Sequence, residues 1–420
     1  VLTTLRDALG DLPAFHRDPL ATLAHRAPPG ASSRLRLGPS TWCISNAATA
    51  ATVLKDPRFV KAPAALGPLQ SLPALTALQA VIGDSLPVLD DTAAERRRAL
   101  APVFADAHTA VANTDVSVLR ARLHTLVAEC RTDHVDIYAI VARLVVEGVL
   151  HTFFGDRCVD WSAEIADVID SGNEALDVVA KSALPWALSW PLPAPRAIQR
   201  ARATLLAFAA RAVDAMASDA RFARVTTIDR AALLDEVLTQ LVAGTETTAL
   251  SICWTLVWLQ RSSSSSPSWL EAIRAQGDVA QPHLGGDDPL SLCLRESLRL
   301  SPPFWQTPRV ASEDIVVDGH AIAAHSFVMV CLYLANRDPA LGEQVEAFVP
   351  DRPRIAQPLT FGVGPRSCIG ARLSFVTAHR VLHTLLRDFD VVIDNDAAPA
   401  RPLIFGLKRE GGFRAALHRR

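Results

Sequence analysis

The stretch Phe361-Gly362-Val363-Gly364-Pro365-Arg366-Ser367-Cys368-Ile369-Gly370 sets one cysteine in a turn built from glycines, a proline and an arginine. No second cysteine lies nearby. The seven are at 43, 130, 158, 253, 293, 331 and 368, an odd count with no CxxC pair for zinc or disulfide exchange. A free cysteine packed as a small hydrophobe explains most of them, but it explains neither the glycines nor the arginine around Cys368. A lone thiolate ligand for iron explains both. Its sulfur needs backbone amides close by, because those hydrogen bonds tune the metal. Gly364 and Gly370 permit the tight turn and the close approach. Phe361 is placed to cover the sulfur against water.

The rest of the chain must supply a scaffold. Its 420 residues could make two or three domains or one large one, and half of them are hydrophobic, enough for a sizeable core. A net charge of −2, from 42 basic against 44 acidic residues, gives no reason to expect nucleic acid as a partner. Scattered, unpaired cysteines suit a reducing cytosol. The opening VLTTLRDALGDLPAF has neither an apolar signal core nor a membrane span. Ala249 to Leu259, read as the longest apolar run, is too short to cross a bilayer. The expectation is a soluble cytoplasmic protein without a membrane anchor.

Helical periodicity dominates. Leu234, Val237, Leu238, Leu241 and Val242 share one face of a helix predicted over about 229–261, which ends at Ser262–Ser266 and Pro267. A second helix is predicted from Pro289 to about Leu300, stopped by Ser301-Pro302-Pro303. A third follows Cys368, with Leu373, Val376, Leu382 and Leu385 as its buried face and His379 and His383 on its surface. Asp314–Val317 and His320–Ile322 around Asp318-Gly319 read as a hairpin, and Phe327–Leu332 as a strand. Pro185–Pro195 and Pro350–Pro358 read as breaks. No repeat and no flexible linker stands out. The reading is a mainly α (α+β) fold over a single domain, 1–420.

With these elements in place, the cysteine stretch resembles the haem-binding loop of the cytochrome P-450 family, F-x-x-G-x-R-x-C-x-G, at every fixed position. Haem held by one axial thiolate needs only one cysteine. In the long helix, Ala243-Gly244-Thr245-Glu246-Thr247-Thr248 is similar to the family's A-G-x-[DE]-T-T segment. A glycine there costs about 1 kcal/mol against alanine. Threonines can bond back to carbonyls one turn earlier and open the helix, making room for dioxygen. Glu296 and Arg299 stand at E-x-x-R, about seventy residues before the cysteine, and Arg352 in Phe348–Pro353 would be the third member of the family's buried trio. This trio reads as structural. Thr307-Pro308-Arg309 resembles the strand whose arginine meets a propionate. Arg96-Arg97-Arg98 resembles the family's [HW]-x-x-x-R helix, with Arg97 as the arginine but Ala93 where a His or Trp is usual.

The resemblance implies the triangular, mostly helical P-450 fold with small β-sheets and a b-type haem, iron protoporphyrin IX. It implies Cys368 as the metal ligand, and Arg366, Arg309, Arg97, Phe361, Gly362, Ala243 and Gly370 around the cofactor. Glu246 and Thr247 would relay protons for O–O cleavage. The implied function is monooxygenation of a small apolar substrate, terpenoid or steroid-like before fatty acid. Neither G-x-G-x-x-G nor a P-loop is present, so electrons would come from a separate ferredoxin-type or flavodoxin-type donor and its reductase. Arg96, Arg98 and Arg372 would form the basic patch that steers that donor, and the enzyme would be a monomer. A peroxide-using or substrate-rearranging haem-thiolate enzyme would not need the Glu246–Thr247 pair, and a haem sensor would show an output domain.

Overall fold

The computed structural model describes residues 10–420 apart from 38–39, 62–81, 88–91, 131, 133, 155–160, 182–191, 218, 224, 263–267, 354–358 and 404–405. Among the described residues there are thirteen α-helices and twelve strands. In chain order they are α1 (Leu12–Arg17), α2 (Pro19–Arg26), β1 (Ser32–Leu35), β2 (Thr41–Ile44), α3 (Ala47–Lys55), β3 (Phe59–Val60), α4 (Ala93–Ala112) and α5 (Val116–Glu129). There follow β4 (His134–Asp136), α6 (Ile137–Phe154), α7 (Ser162–Lys181), α8 (Pro193–Met216), α9 (Arg230–Arg261), α10 (Trp269–Ala275) and α11 (Pro289–Leu300). The chain closes with β5 (Thr307–Ala311), β6 (Ile315–Val317), β7 (His320–Ile322), β8 (Phe327–Val330), α12 (Leu332–Ala335), α13 (Ala371–Asp388), β9 (Phe389–Ile393), β10 (Ala400–Pro402), β11 (Leu407–Arg409) and β12 (Arg414–Arg419).

Helix α9 is the axis of the fold. Asp229 caps it, its carboxylate accepting from Ala231 N at 3.0 Å, so the orphan amides of the first turn are met. One core cluster joins the C-terminal half of α9 to α6, α11 and α13, around the fully buried Trp254. The Trp254 indole N–H donates to Leu407 O at 2.6 Å, so its polar edge is satisfied inside that core. A second cluster packs the N-terminal half of α9 against α4, α6 and α8. Because α9 is covered from several directions, its burial is not confined to one stripe. Glu236, Thr245, Glu246, Thr248, Ser251 and Thr255 are all buried with its apolar residues.

The largest sheet has five strands in the order β1-β2-β8-β5-β3, with β2 and β8 parallel and the other pairs antiparallel. A three-stranded sheet, β4-β12-β9, and two hairpins complete the strands. In the β6–β7 hairpin, Asp318 and Gly319 both take positive φ, 49° and 75°, as a two-residue turn between twisted strands requires.

Several expectations change here. Phe327–Leu332 is strand only to Val330, and Leu332 begins the short α12. Pro193 and Pro195 lie in the first turn of α8, where a missing amide costs nothing, and 182–191 of the expected break fall outside the described residues. Among the described residues one helix, α6, is long and apolar enough to cross a membrane, with 72% of it buried inside the protein. Apolar residues on every face follow from its place among α4, α5, α7, α9 and α13. His379 and His383 are buried, not on the surface. Their rings stack 6.4 Å apart, and His379 Nε2 lies 3.0 Å from Asp288, the cap of α11. Burial pushes Asp288 up, but the bonds from His379 and Ser291 outweigh it and hold the carboxyl well below the usual range.

Candidate active site

The cysteine loop is two short 3-10 turns, Leu359–Phe361 and Gly364–Arg366, leading into α13. Cys368 N–H donates to Phe361 O at 2.7 Å, closing the loop on itself. Gly364, at φ 79°, lies where a Cβ would press on Lys55 at the end of α3, so the turn tolerates only glycine. Gly370 differs from its expected role. It has an ordinary negative φ, and its value is closeness, since a Cβ there would sit 3.4 Å from the Phe104 ring and 4.0 Å from Cys368 Sγ.

Cys368 is exposed, whereas the other five described cysteines are buried or half-buried. Burial pushes its thiol up, and the Gly370 N–H and the charge of Arg97 pull it back down. The sulfur is thus accessible yet partly desolvated by the atoms packed around it. Such a thiol needs a cation to ionise fully.

Arg97 reaches this loop from α4: its Nη1 donates to Ser367 O at 2.6 Å. Arg366 donates to Phe59 O, and Phe59 pairs across β3 and β5 with Ala311, two residues beyond Arg309. Arg309 is buried and donates to Pro308 O at 2.7 Å and Thr307 Oγ1 at 3.1 Å. Three arginines from distant parts of the chain are therefore gathered on the loop and the adjoining sheet edge. Ala93 opens α4, half-buried, one turn before Arg97.

Arg96 does not belong to a basic surface patch. It turns inward to Glu236 Oε1 at 3.2 Å and to Asp84 O, because a buried carboxylate on α9 draws it. Arg98 and Arg372 are exposed, as expected.

Across from the loop, α9 runs as an unbroken helix through 243–248, so the expected opening is not present. The back-bonds are. Thr247 Oγ1 donates to Ala243 O at 2.6 Å and Thr248 Oγ1 to Gly244 O at 2.8 Å, while packing on several sides keeps the backbone regular. Ala243 is exposed and Thr247 half-buried although Thr245, Glu246 and Thr248 beside them are buried, so one strip of α9 faces open space. Thr248 Oγ1 lies 2.9 Å from Ser374 Oγ, which ties that strip to the first turn of α13 just after Cys368. Glu246 points elsewhere, its Oε1 3.1 Å from where a Cβ on Gly406 would be. Its charge also helps hold Lys408 protonated: burial pushes that amine down, and Glu246 and Asp170 more than offset it.

The Glu296–Arg299–Arg352 trio is assembled. Arg299 grips both Glu296 oxygens at 2.8 and 2.9 Å, and Arg352 reaches Oε1 at 3.3 Å. Val349 N–H adds a bond at 3.1 Å.

A family model described as Cytochrome P-450 matches residues 83–411. The chain belongs to the cytochrome P-450 family. Among curated relatives, cytochrome P-450 11B1, mitochondrial, of Rattus norvegicus is 34% identical over 161 residues, 36% of this chain and 32% of its own. The mitochondrial 25-hydroxyvitamin D-1 alpha hydroxylase of Mus musculus is 31% identical over 183 residues, 41% of this chain and 36% of its own. The matched stretches thus span about a third of those relatives. Two solved P-450 structures share the fold over nearly all of both chains. The cytochrome P-450DA heme domain has TM-score 0.77 at 18% identity, covering 98% of this chain and 93% of that one. CYP175A1 from Thermus thermophilus has TM-score 0.74 at 20% identity, with 97% of each covered.

Members of the P-450 family are haem-thiolate enzymes that carry haem b. The residues present fit that group. Cys368 is the exposed one of the described cysteines, an open strip of small side chains on α9 at Ala243 and Thr247 is tied to the start of α13 through Thr248 and Ser374, and Arg97 and Arg366 bond into the loop and the strand beside it. The P-450 pattern singled out Arg97 from three adjacent arginines, but nothing in the sequence marked Arg96 as turned to Glu236.

Proposed function

We propose that this P-450 is a monooxygenase that inserts one atom of dioxygen into a small apolar substrate, using electrons from a separate donor protein. The observation that carries the reading is Cys368, open at its sulfur, desolvated around it and paired with the Arg97 charge. When bound, the haem supplies the redox chemistry: two electrons and two protons split O2, one oxygen enters a C–H or C=C bond and the other leaves as water. The chain supplies the rest. Cys368 holds the iron as thiolate, and Gly370 N–H and Arg97 stabilise that anion. Arg97, Arg309 and Arg366 hold the propionates by charge-assisted bonds. Thr247 spends its proton on Ala243 O and keeps its oxygen free to accept one, and Glu246, which faces Gly406 here, resupplies protons by turning toward Thr247.

The substrate side is apolar in what is described of it. Pro302, Pro303, Trp305 and Leu403 are buried, and the Trp305 indole donates to the Leu403 carbonyl at 2.6 Å. We take 66–88, 185–195, 302–307 and 402–405 as the lining, of which 66–81, 88, 185–191 and 404–405 lie outside the described residues. No charged side chain occurs in 302–307 or 402–403. This favours a terpenoid or steroid-like compound over a fatty acid, whose carboxylate would want a cation. A relative named for hydroxylating 25-hydroxyvitamin D points the same way. Exposed Arg98 and Arg372 on the cysteine side suit an acidic ferredoxin-type or flavodoxin-type donor.

The test is spectroscopic and chemical. The reduced, carbon-monoxide-bound protein shows the red-shifted Soret band of a thiolate ligand, and Cys368→His loses both the band and turnover. Product forms with dioxygen and an electron donor. Product from hydrogen peroxide alone, with none from dioxygen and donor, overturns the monooxygenase reading.

A further inference from the structure

Asp235, Glu236 and Thr239, in the N-terminal half of α9, hold a segment that comes about 150 residues earlier. Asp235 Oδ2 accepts from Asp84 N at 2.9 Å, Glu236 Oε1 from Leu86 N at 2.9 Å, and Thr239 Oγ1 meets Ser85 Oγ at 2.6 Å. Gly83, at φ 62°, runs so close that a Cβ there would collide with the Asp235 carboxylate. Arg96 closes the arrangement from α4, donating to Glu236 Oε1 and to Asp84 O. The next residue, Arg97, is the one bound to Ser367 beside the cysteine.

Glu236 is 1% exposed at its side chain, and its second oxygen is buried with no hydrogen-bond donor in reach among the described residues. It lines a small apolar cavity with Leu100, Phe104, Leu233 and Val237. An ionised carboxylate with one bare oxygen in such a place is costly. Burial pushes the carboxyl up to about 7, against the pull of Arg96 and the Leu86 N–H, and Asp235 adds to the rise. The charged groups around it are Arg96 from α4, Asp84 in the held segment, Lys61 through its bond to Leu86 O, and Asp235 on its own helix. Helices α6 and α8 present only the apolar Val149, Phe153, Phe154 and Met216.

We propose that Glu236 is a positioning residue for the cysteine loop: protonated, it latches residues 83–86 and Arg96 to α9, and its ionisation loosens that latch and with it the Arg97–Ser367 tie. The direction follows from linkage. An exposed glutamate titrates near 4.3, below the latched carboxyl, so protons favour the latched form. That advantage is full below about pH 4.3 and is lost as the pH rises to about 7. Between pH 6 and pH 8 the open fraction rises about tenfold. The latch contacts stand on geometry and their pH dependence on the burial of Glu236 with one bare oxygen, whereas the effect at the cysteine rests on the functional reading above.

The experiment uses the purified haem-loaded protein at pH 6 and pH 8. Hydrogen exchange of the peptide covering 82–87, corrected for the intrinsic pH effect, reports the latch, and haem transfer to apomyoglobin reports the loop. In the wild type, exchange and transfer both quicken about tenfold at pH 8. Glu236→Gln keeps the acceptor oxygen without the charge and stays slow at both pH values. Thr239→Val is faster at both and keeps the step. The same step in Glu236→Gln as in the wild type overturns the proposal. A step in exchange with none in haem transfer overturns the coupling to the cysteine loop. Loss of the thiolate spectrum in the wild type would strike the functional reading and leave the exchange result standing.

Discussion

Arg97 and Ser367 are 270 residues apart in the chain, and the Arg97 guanidinium donates to the Ser367 carbonyl at 2.6 Å. That bond fastens the first turns of α4 to the residue before Cys368, and the same charge lowers the Cys368 thiol against the push of burial. One side chain therefore places the loop and favours its thiolate.

Arg97→Ala is expected to lower haem retention markedly. Loss of one charge-assisted bond is worth about 1.5–3 kcal/mol, on the order of tenfold or more in haem affinity. Ala93→His, one turn earlier on α4, is neutral or strengthens retention by adding a donor where this chain has none. Haem content after equilibration with apomyoglobin decides, and equal retention in Arg97→Ala and the parent would move the role to another cation.

Thr247→Ala is expected to leave haem bound and to divert electrons to peroxide, because the hydroxyl held on Ala243 O no longer times proton delivery. The measurement is product formed per electron donor consumed. An unchanged ratio would transfer the relay to another group, and Thr248, committed to Gly244 O and Ser374, is a poor substitute.

Glu296→Ala is expected to destabilise the fold by about 3–5 kcal/mol, because it strands two buried guanidinium groups. Exposed Glu313 makes only a long pair with Arg58, at 3.6 Å, and its removal is expected to change stability by less than about 0.5 kcal/mol. Urea unfolding of the two variants side by side tests the contrast.

Burial holds the His383 imidazole below its ordinary value, and the Asp278 carboxylate only partly offsets this. The unfolded chain thus takes the proton more readily than the folded one. Stability from this group is full above about pH 6.5 and falls as the pH drops below it. His383→Asn is expected to flatten the slope of unfolding free energy below about pH 6.5, and an unchanged slope would assign it to other groups.

Local sequence carried a large part of this site because each part is a short-range demand. A sulfur in a tight turn needs Gly364 beside Lys55. A capped helix needs Asp288 before Pro289. Hydroxyls that bond back one turn need only their own helix, as Thr247 and Thr248 show. Where reasoning from the sequence failed, a distant partner had decided the outcome. His379 and His383 look like surface residues until Asp288 and Asp278 are brought to them. Arg96 looks solvated until Glu236 buries a carboxylate 140 residues away.

What the sequence by itself determined is the family, the ligand cysteine it implies, and the helices that flank them, since those depend on residue identity at fixed short spacings. The family pattern picked Arg97 for the cysteine loop, but only the tertiary structure decided that Arg96 turns to α9 while Arg98 stays exposed. An α-helix turns each successive residue by about 100°. Arg96, Arg97 and Arg98 therefore leave α4 in three directions, and the carboxylate or carbonyl that folding places in each direction sets their work.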